Sequence, residues 1–313
     1  MKLKLASAVV LIGCSGGSKQ PDKPTPDVTG DTADTGGTGD TGGTGDTGAV
    51  AKPAPPPSPP DIGGYALIAP SALTYAPLNP DGPGPELAVL HGDATSGGAF
   101  FLKVPPGGKS GVHTHTSDYH AVVVSGAPRH WLAGGEKKAK PLAAGSYWFQ
   151  PGTQAHGDDC TGKEPCVLFI IMPGAFDMTA TPKAKAPATG KYTLTARKDA
   201  KFAPLDPTHP EGAKGAFVHG DPKTGPVGWL IEVPPGGNSG LHSHTSDYHA
   251  VVIDGAPAHW LPHETGEGEP LAPGTYWFQP GGYDHGDRCT STEACHGFVF
   301  MDKALDFKPA AKP

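Results

Sequence analysis

Two short runs hold the residues of this chain best suited to chemistry: His113-Thr114-His115 and His242-Ser243-His244. On a β-strand, side chains at i and i+2 point to the same side. Two imidazoles at that spacing project together, close enough to share one metal ion. A third histidine follows each pair, His156 and His285, behind an apolar stretch and the Pro-Gly turns at 151–152 and 280–281. Imidazole-only sites suit iron, zinc, copper or nickel and lack the carboxylate that favours manganese or magnesium. The expected cofactor is therefore a divalent transition metal, two per chain. His120 and His249 are the expected fourth ligands. Their neighbours Tyr119 and Tyr248 are the candidate catalytic residues, placed to give a proton to a bound oxygen species. If His120 faces inward, so do Val122 and Val124; if Tyr119 does, so do Ala121 and Val123. Periodicity leaves both readings open.

The histidines belong to a larger duplication. The segment VPPGGKSGVHTHTSDYHAVVVSGAPRHWL from Val104 matches VPPGGNSGLHSHTSDYHAVVIDGAPAHWL from Val233. The offset is 129 residues, as from His113 to His242, and holds without insertion to Cys166 and Cys295. Self-similarity of this length marks two structural units. The boundaries fall at 62–178 and 191–308, joined by 179–190. A single histidine is often a packed core residue, whereas a duplicated H-x-H…H set argues for ligation. His91/His219 and His130/His259 also recur and could orient ligands. Trp131/Trp260 and the Tyr-Trp-Phe triplets at 147–149 and 276–278 read as core, and Asp118/Asp247 as turn residues.

The elements that must position these groups are strands. Short runs rich in Val, Ile, Phe, Tyr and Trp alternate with Pro-Gly and Gly-Gly turns, and no capped helical period stands out. About a hundred residues of such strands per copy predict an all-β sandwich or barrel.

At this point the chain resembles the cupin superfamily, whose first motif is G-x5-H-x-H-x(3,4)-E-x6-G. Gly107, His113, His115 and Gly126 fit it, as do Gly236, His242, His244 and Gly255. The second motif, G-x5-P-x-G-x2-H-x3-N, is matched by Gly145, Pro151 and His156, with Thr153 in place of glycine, and by Gly274, Pro280, Gly282 and His285. Two departures stand out. The family glutamate is replaced by Tyr119 or His120, and Tyr248 or His249. The family asparagine is replaced by Cys160 and Cys289. The S-D-Y-H-A-V-V run is similar to bacterial cupins of the DUF4437 type. The resemblance implies a bicupin: two tandem antiparallel barrels of double-stranded β-helix or jelly-roll type, each with a metal inside, packed against each other. It implies no single reaction. The function expected is a metal-dependent enzyme acting on a small molecule, dioxygenase-like or hydrolytic. The alternatives are a non-catalytic protein that binds metal or a small ligand, and a structural module.

The N-terminus carries a different signal. Two lysines precede a short apolar run that ends in Leu11-Ile12-Gly13-Cys14. This resembles a bacterial lipobox, which implies a signal peptide over 1–13, lipid on Cys14, and attachment to a membrane at the periplasm or cell surface. Residues 14–61 follow as a Gly/Thr/Asp/Pro-rich tether that lacks the apolar content to fold; it spans roughly 35–40 Å root-mean-square. Excluding Cys14, the four cysteines form two equally spaced pairs. An even number in an exported chain predicts the disulfides Cys160–Cys166 and Cys289–Cys295. The net charge of -7 offers no electrostatic footprint for nucleic acid.

Overall fold

A computed structural model describes residues 64–185 and 191–311. The lipobox, Cys14 and the tether lie outside the described residues, as do 186–190 of the joining segment. Strand Tyr119–Ser125 shows why the pattern folds as it does, because it is buried on both faces. Tyr119, Ala121 and Val123 pack with Phe100, Trp148, Leu168 and Ile170. Val122 and Val124 point the other way and pack with Tyr147 and Phe169. In the second repeat Tyr248, Ala250 and Val252 pack with Trp277 and Val299. Val251 and Ile253 join the same cluster as Val122 and Val124. One apolar cluster thus lies within each repeat, and a third draws on both. Each fully buried Val or Phe contributes about 1.5–3 kcal/mol, so these strands need no polar face.

The architecture is all-β and antiparallel. One seven-stranded sheet runs, from edge to edge, through Thr193–Thr195, Tyr147–Gln150, Tyr119–Ser125, Cys166–Met172, Gly97–Val104, Glu86–Asp93 and Ala76–Pro77. Its counterpart runs through Ala66–Ile68, Tyr276–Gln279, Tyr248–Asp254, Cys295–Met301, Val227–Val233, Lys214–Gly220 and Ala203–Pro204. The leading strands are exchanged. Ala66–Ile68 pairs with Tyr276–Phe278 of the second repeat, and Thr193–Thr195 pairs with Tyr147–Phe149 of the first. Smaller sheets complete each barrel: His113–Thr114, His156–Cys160 and Pro128–Leu132 with Thr179–Ala180, and their equivalents after residue 242. Among the described residues the helices are three 3-10 turns, and none is long and apolar enough to cross a membrane.

Covalent and backbone ties hold the strands that carry the histidines. Cys160 is bonded to Cys166 and Cys289 to Cys295, with Cα–Cα separations of 5.7 and 5.6 Å, inside the ordinary range for disulfides. The turn before His113 is fastened to the same strand end: Gly107 N–H donates to the Cys160 carbonyl at 2.9 Å, and Cys160 N–H to the Gly108 carbonyl at 3.0 Å. Gly126 closes the strand with φ 84°, and a Cβ there would stand 2.6 Å from Cys166 Cα. Only glycine meets both conditions.

Candidate metal centre

The strand pairing delivers the histidines to one place. His113 is the cross-strand partner of His156. His115 lies two residues on, and its carbonyl accepts from Thr153 N–H at 2.7 Å. Thr153, where the motif calls for glycine, adopts the left-handed φ of 62° that Gly282 adopts at 80° in the second repeat. In that repeat His242 and His285 exchange both backbone hydrogen bonds at 2.8 Å. The ligand nitrogens of His113, His115 and His156 all lie within 4.8 Å of one another, and so do those of His242, His244 and His285.

The hydrogen bonds assign the tautomers. His113 Nδ1 faces the Gly111 carbonyl at 3.0 Å, His156 Nδ1 the Gln154 carbonyl at 2.8 Å, and His115 Nδ1 the Asp177 carbonyl. The second repeat repeats all three, with Gly240, Tyr283 and Asp306. A carbonyl only accepts, so each Nδ1 carries the proton and each Nε2 keeps its lone pair. These lone pairs converge: His113 Nε2 stands 3.2 Å from His115 Nε2. Two lone pairs at that distance repel unless a cation lies between them. Burial, reinforced by His130 and His113, lowers the His156 pKa to about 3 despite Asp158. Burial likewise lowers the pKa of His115, more than the Asp177 carbonyl raises it. Neutral imidazoles with oriented Nε2 atoms are what a metal ion requires.

Three further groups face this point. The Tyr119 hydroxyl accepts from Trp148 Nε1 at 3.2 Å and donates toward His156 Nε2 at 3.2 Å. Tyr248, with Trp277 and His285, does the same at 3.2 and 3.0 Å. Asp158 Oδ2 lies 3.8 Å from His113 Nε2 and 4.0 Å from His156 Nε2; Asp287 Oδ2 lies 3.8 and 3.9 Å from His242 and His285. The other Asp287 oxygen accepts from His259 Nδ1 at 2.8 Å, and Asp158 is held by His130 in the same way. His130 Nε2 in turn lies 3.1 Å from Gln150 Oε1. The Gln150 amide is held in that orientation because its nitrogen donates to the Pro151 and Gln154 carbonyls at 3.3 and 3.2 Å. Burial would raise the Asp158 pKa, but the charge and hydrogen bond of His130, with His156 and His113, outweigh it and hold the carboxyl well below its usual range.

Two sequence expectations change here. His120 and His249 stand outside both clusters. Because Tyr119 faces the barrel interior, strand alternation turns His120 to the opposite face. There it bonds the Tyr147 hydroxyl at 2.8 Å and packs on His219 with ring centres 4.4 Å apart. His249 does the same with Tyr276 and His91. His91 and His219 therefore serve this second setting, not the centres. The clusters themselves are the histidine trios, and the carboxylates of Asp158 and Asp287 border them. The signal for these was present as His156-Gly157-Asp158 and His285-Gly286-Asp287, two positions apart on a strand and hence on one face. The glycine between them faces outward beneath a tryptophan. A Cβ on Gly286 would meet the Trp260 ring at 2.1 Å, and one on Gly157 the Trp131 ring at 2.9 Å. Asp118 and Asp247 fasten the turns, accepting from Gly152 and Gly281 N–H at 2.6 and 2.7 Å.

Comparison with known proteins places this architecture. The family described as a domain of unknown function, DUF4437, matches residues 75–308. No curated protein matches the chain. Among solved structures, a candidate dioxygenase from Nostoc punctiforme aligns with a TM-score of 0.62 over 80% of this chain and 87% of its own, at 13% identity. AerE from Microcystis aeruginosa aligns at 0.51, covering 77% and 99%, with 16% identity. An oxalate decarboxylase from Lactobacillus farciminis, in a formate complex, aligns at 0.52, covering 78% and 88%, with 14% identity. At such identities the likeness speaks for the fold alone, and that fold is the cupin type.

Proposed function

The chain belongs to the DUF4437 family of cupin-type proteins, and we propose that it is a metalloenzyme with two mononuclear centres that acts on a small molecule outside the cytoplasm. The observation that carries this reading is the set of six Nδ1–H groups committed to backbone carbonyls, which leaves three Nε2 lone pairs converging in each repeat. His113, His115 and His156 would hold one ion, and His242, His244 and His285 the other. Asp158 and Asp287 are placed to complete the ligand set, which adds manganese to iron, zinc, copper and nickel as suitable ions. When bound, such an ion supplies Lewis acidity and, for iron, copper or manganese, redox chemistry. Fold relatives described as a candidate dioxygenase and an oxalate decarboxylase support chemistry of this class.

The protein groups then have defined work. With the His156 lone pair committed to an ion, the Tyr119 hydrogen is left for a substrate oxygen, while Trp148 continues to donate to the phenol oxygen. The His130–Asp158 pair holds a proton on the hydrogen bond between them, beside the same point. Elemental analysis of metal-replete protein is expected to find about two equivalents of transition metal per chain, the number of histidine trios. A value near zero would sink the assignment.

Location follows from a separate argument. The two disulfides support an oxidising compartment, and the lipobox-like Leu11–Cys14 supports a lipid anchor. Cys14→Ser is expected to move the protein from the membrane fraction to the soluble fraction; unchanged partitioning would refute the anchor. The apolar cluster shared by Val122, Val124, Val251 and Ile253 supports two barrels that work as one packed body.

A further inference from the structure

The strand that leads into each repeat hydrogen-bonds in the sheet of the other, and each carries a tyrosine just before its first paired residue. Tyr192 precedes Thr193, the partner of Phe149; Tyr65 precedes Ala66, the partner of Phe278. Continuing the antiparallel register sets Tyr192 beside Gln150 and Tyr65 beside Gln279. Those glutamines hold His130 and His259. Alternation therefore turns both tyrosines toward the barrel interior. The ring contacts agree. Tyr192 lies 5.5 Å from His130 and packs against the interior cluster that contains Tyr119 and Trp148. Tyr65 stacks on His259 at 5.9 Å with 20° between planes. His130 and His259 are the rings that hold Asp158 and Asp287 at the centres. Both tyrosines are half-buried, and both phenols are pushed up, first by burial. Asp158 then raises Tyr192, and Glu264 followed by Asp287 raises Tyr65. Each phenol thus feels the carboxylate of the centre belonging to the other repeat.

We propose that each metal centre is completed in trans, with Tyr192 walling the first centre and Tyr65 the second, so that neither repeat builds a complete site alone. This rests on reading the histidine trios as metal centres. A phenol on that wall presents an apolar ring and one hydroxyl donor, which suits a small anion or oxygen-rich ligand seated against the ion. Tyr65 and Tyr192 are positioning residues that shape the ligand's side of the site rather than hold the metal.

The test uses two full-length proteins, each keeping one trio and carrying alanine at the three histidines of the other. Both are loaded with Co2+, cobalt uptake is measured first, and azide is then titrated by its effect on the cobalt absorption spectrum. Tyr192→Phe is expected to weaken azide binding about three- to tenfold, the worth of one hydrogen bond, in the protein that keeps His113, His115 and His156. It should leave the other protein unchanged, and Tyr65→Phe should do the reverse. The alanine variants, which also remove the ring, should alter the cobalt spectrum of the same centre as well. An equal effect on both centres, or an effect on the centre of the tyrosine's own repeat, would overturn the assignment. So would unchanged azide binding and spectra throughout. Failure of both proteins to take up cobalt would overturn the metal reading itself, and the inference with it, before any azide is added.

Discussion

Replacing His113, His115 and His156 together by alanine is expected to halve the metal content and leave the second ion bound as tightly as before. The reason is local. Each centre draws its three imidazoles from one repeat, oriented by carbonyls of that same repeat: Gly111, Gln154 and Asp177 in the first, Gly240, Tyr283 and Asp306 in the second. Removing three neutral donors leaves only Asp158 and a phenol, which form no site. Asp158→Asn should act more mildly. It keeps the shape but removes the negative charge and leaves His130 a weaker, neutral acceptor, and a change of this kind costs about 10–100-fold in metal affinity. Stability should follow, because an ion that binds only the folded chain adds about 4 kcal/mol at a concentration a thousand times its Kd. Metal analysis, competition titration and thermal unfolding at fixed free metal check these points together. Two equivalents retained in the triple variant would place the metals elsewhere.

The second large effect is loss of stability in acid. Burial holds His120 and His249 at a pKa of about 3, with His219 and His91 respectively adding to the shift. Above pH 6.5 both the folded and unfolded chains keep these rings neutral, so they contribute nothing to the pH dependence. Between pH 6.5 and 3 the unfolded chain takes up protons that the folded chain refuses, and stability falls with pH. Below 3 the loss is complete. The span corresponds to about 5 kcal/mol for each ring at most. The penalty arises because His120 sits among Tyr147, Phe149, His219 and Phe300, where no carboxylate compensates a positive charge. In His120→Asn/His249→Asn, unfolding free energies measured in urea from pH 7 to 4 should show a clearly shallower decline than in the parent chain. Parallel profiles would mean that the acid lability lies in other groups.

Much of this protein is legible in its sequence, for reasons that can be named. The repeat, the all-β class, the disulfides and the trios are local patterns. H-x-H works because a strand alternates every two residues, and the third histidine lies at the start of a strand set by its Pro-Gly turn. His-Gly-Asp carries the same signal, and by the same rule points Asp158 to the face of His156.

What the sequence leaves open depends on what covers each face of a strand. Tyr119 and His120 are adjacent, and the strand positions that share a face with each, Ala121 and Val123 or Val122 and Val124, are all apolar, so alternation alone gives no direction. The choice is made by a cluster that draws Val122, Val124, Val251 and Ile253 together, contacts between residues more than a hundred positions apart. That packing turns Tyr119 onto the centre and leaves His120 against His219. The exchange of leading strands is likewise invisible in a list of residues, because Thr193–Thr195 would satisfy its backbone equally well against either repeat. Its edge pairing with Tyr147–Phe149 is a property of the assembled sheets. It alone brings Tyr192 to His130, the ring that holds Asp158, because hydrogen-bond ladders constrain which strands can meet while tertiary packing decides which ones do.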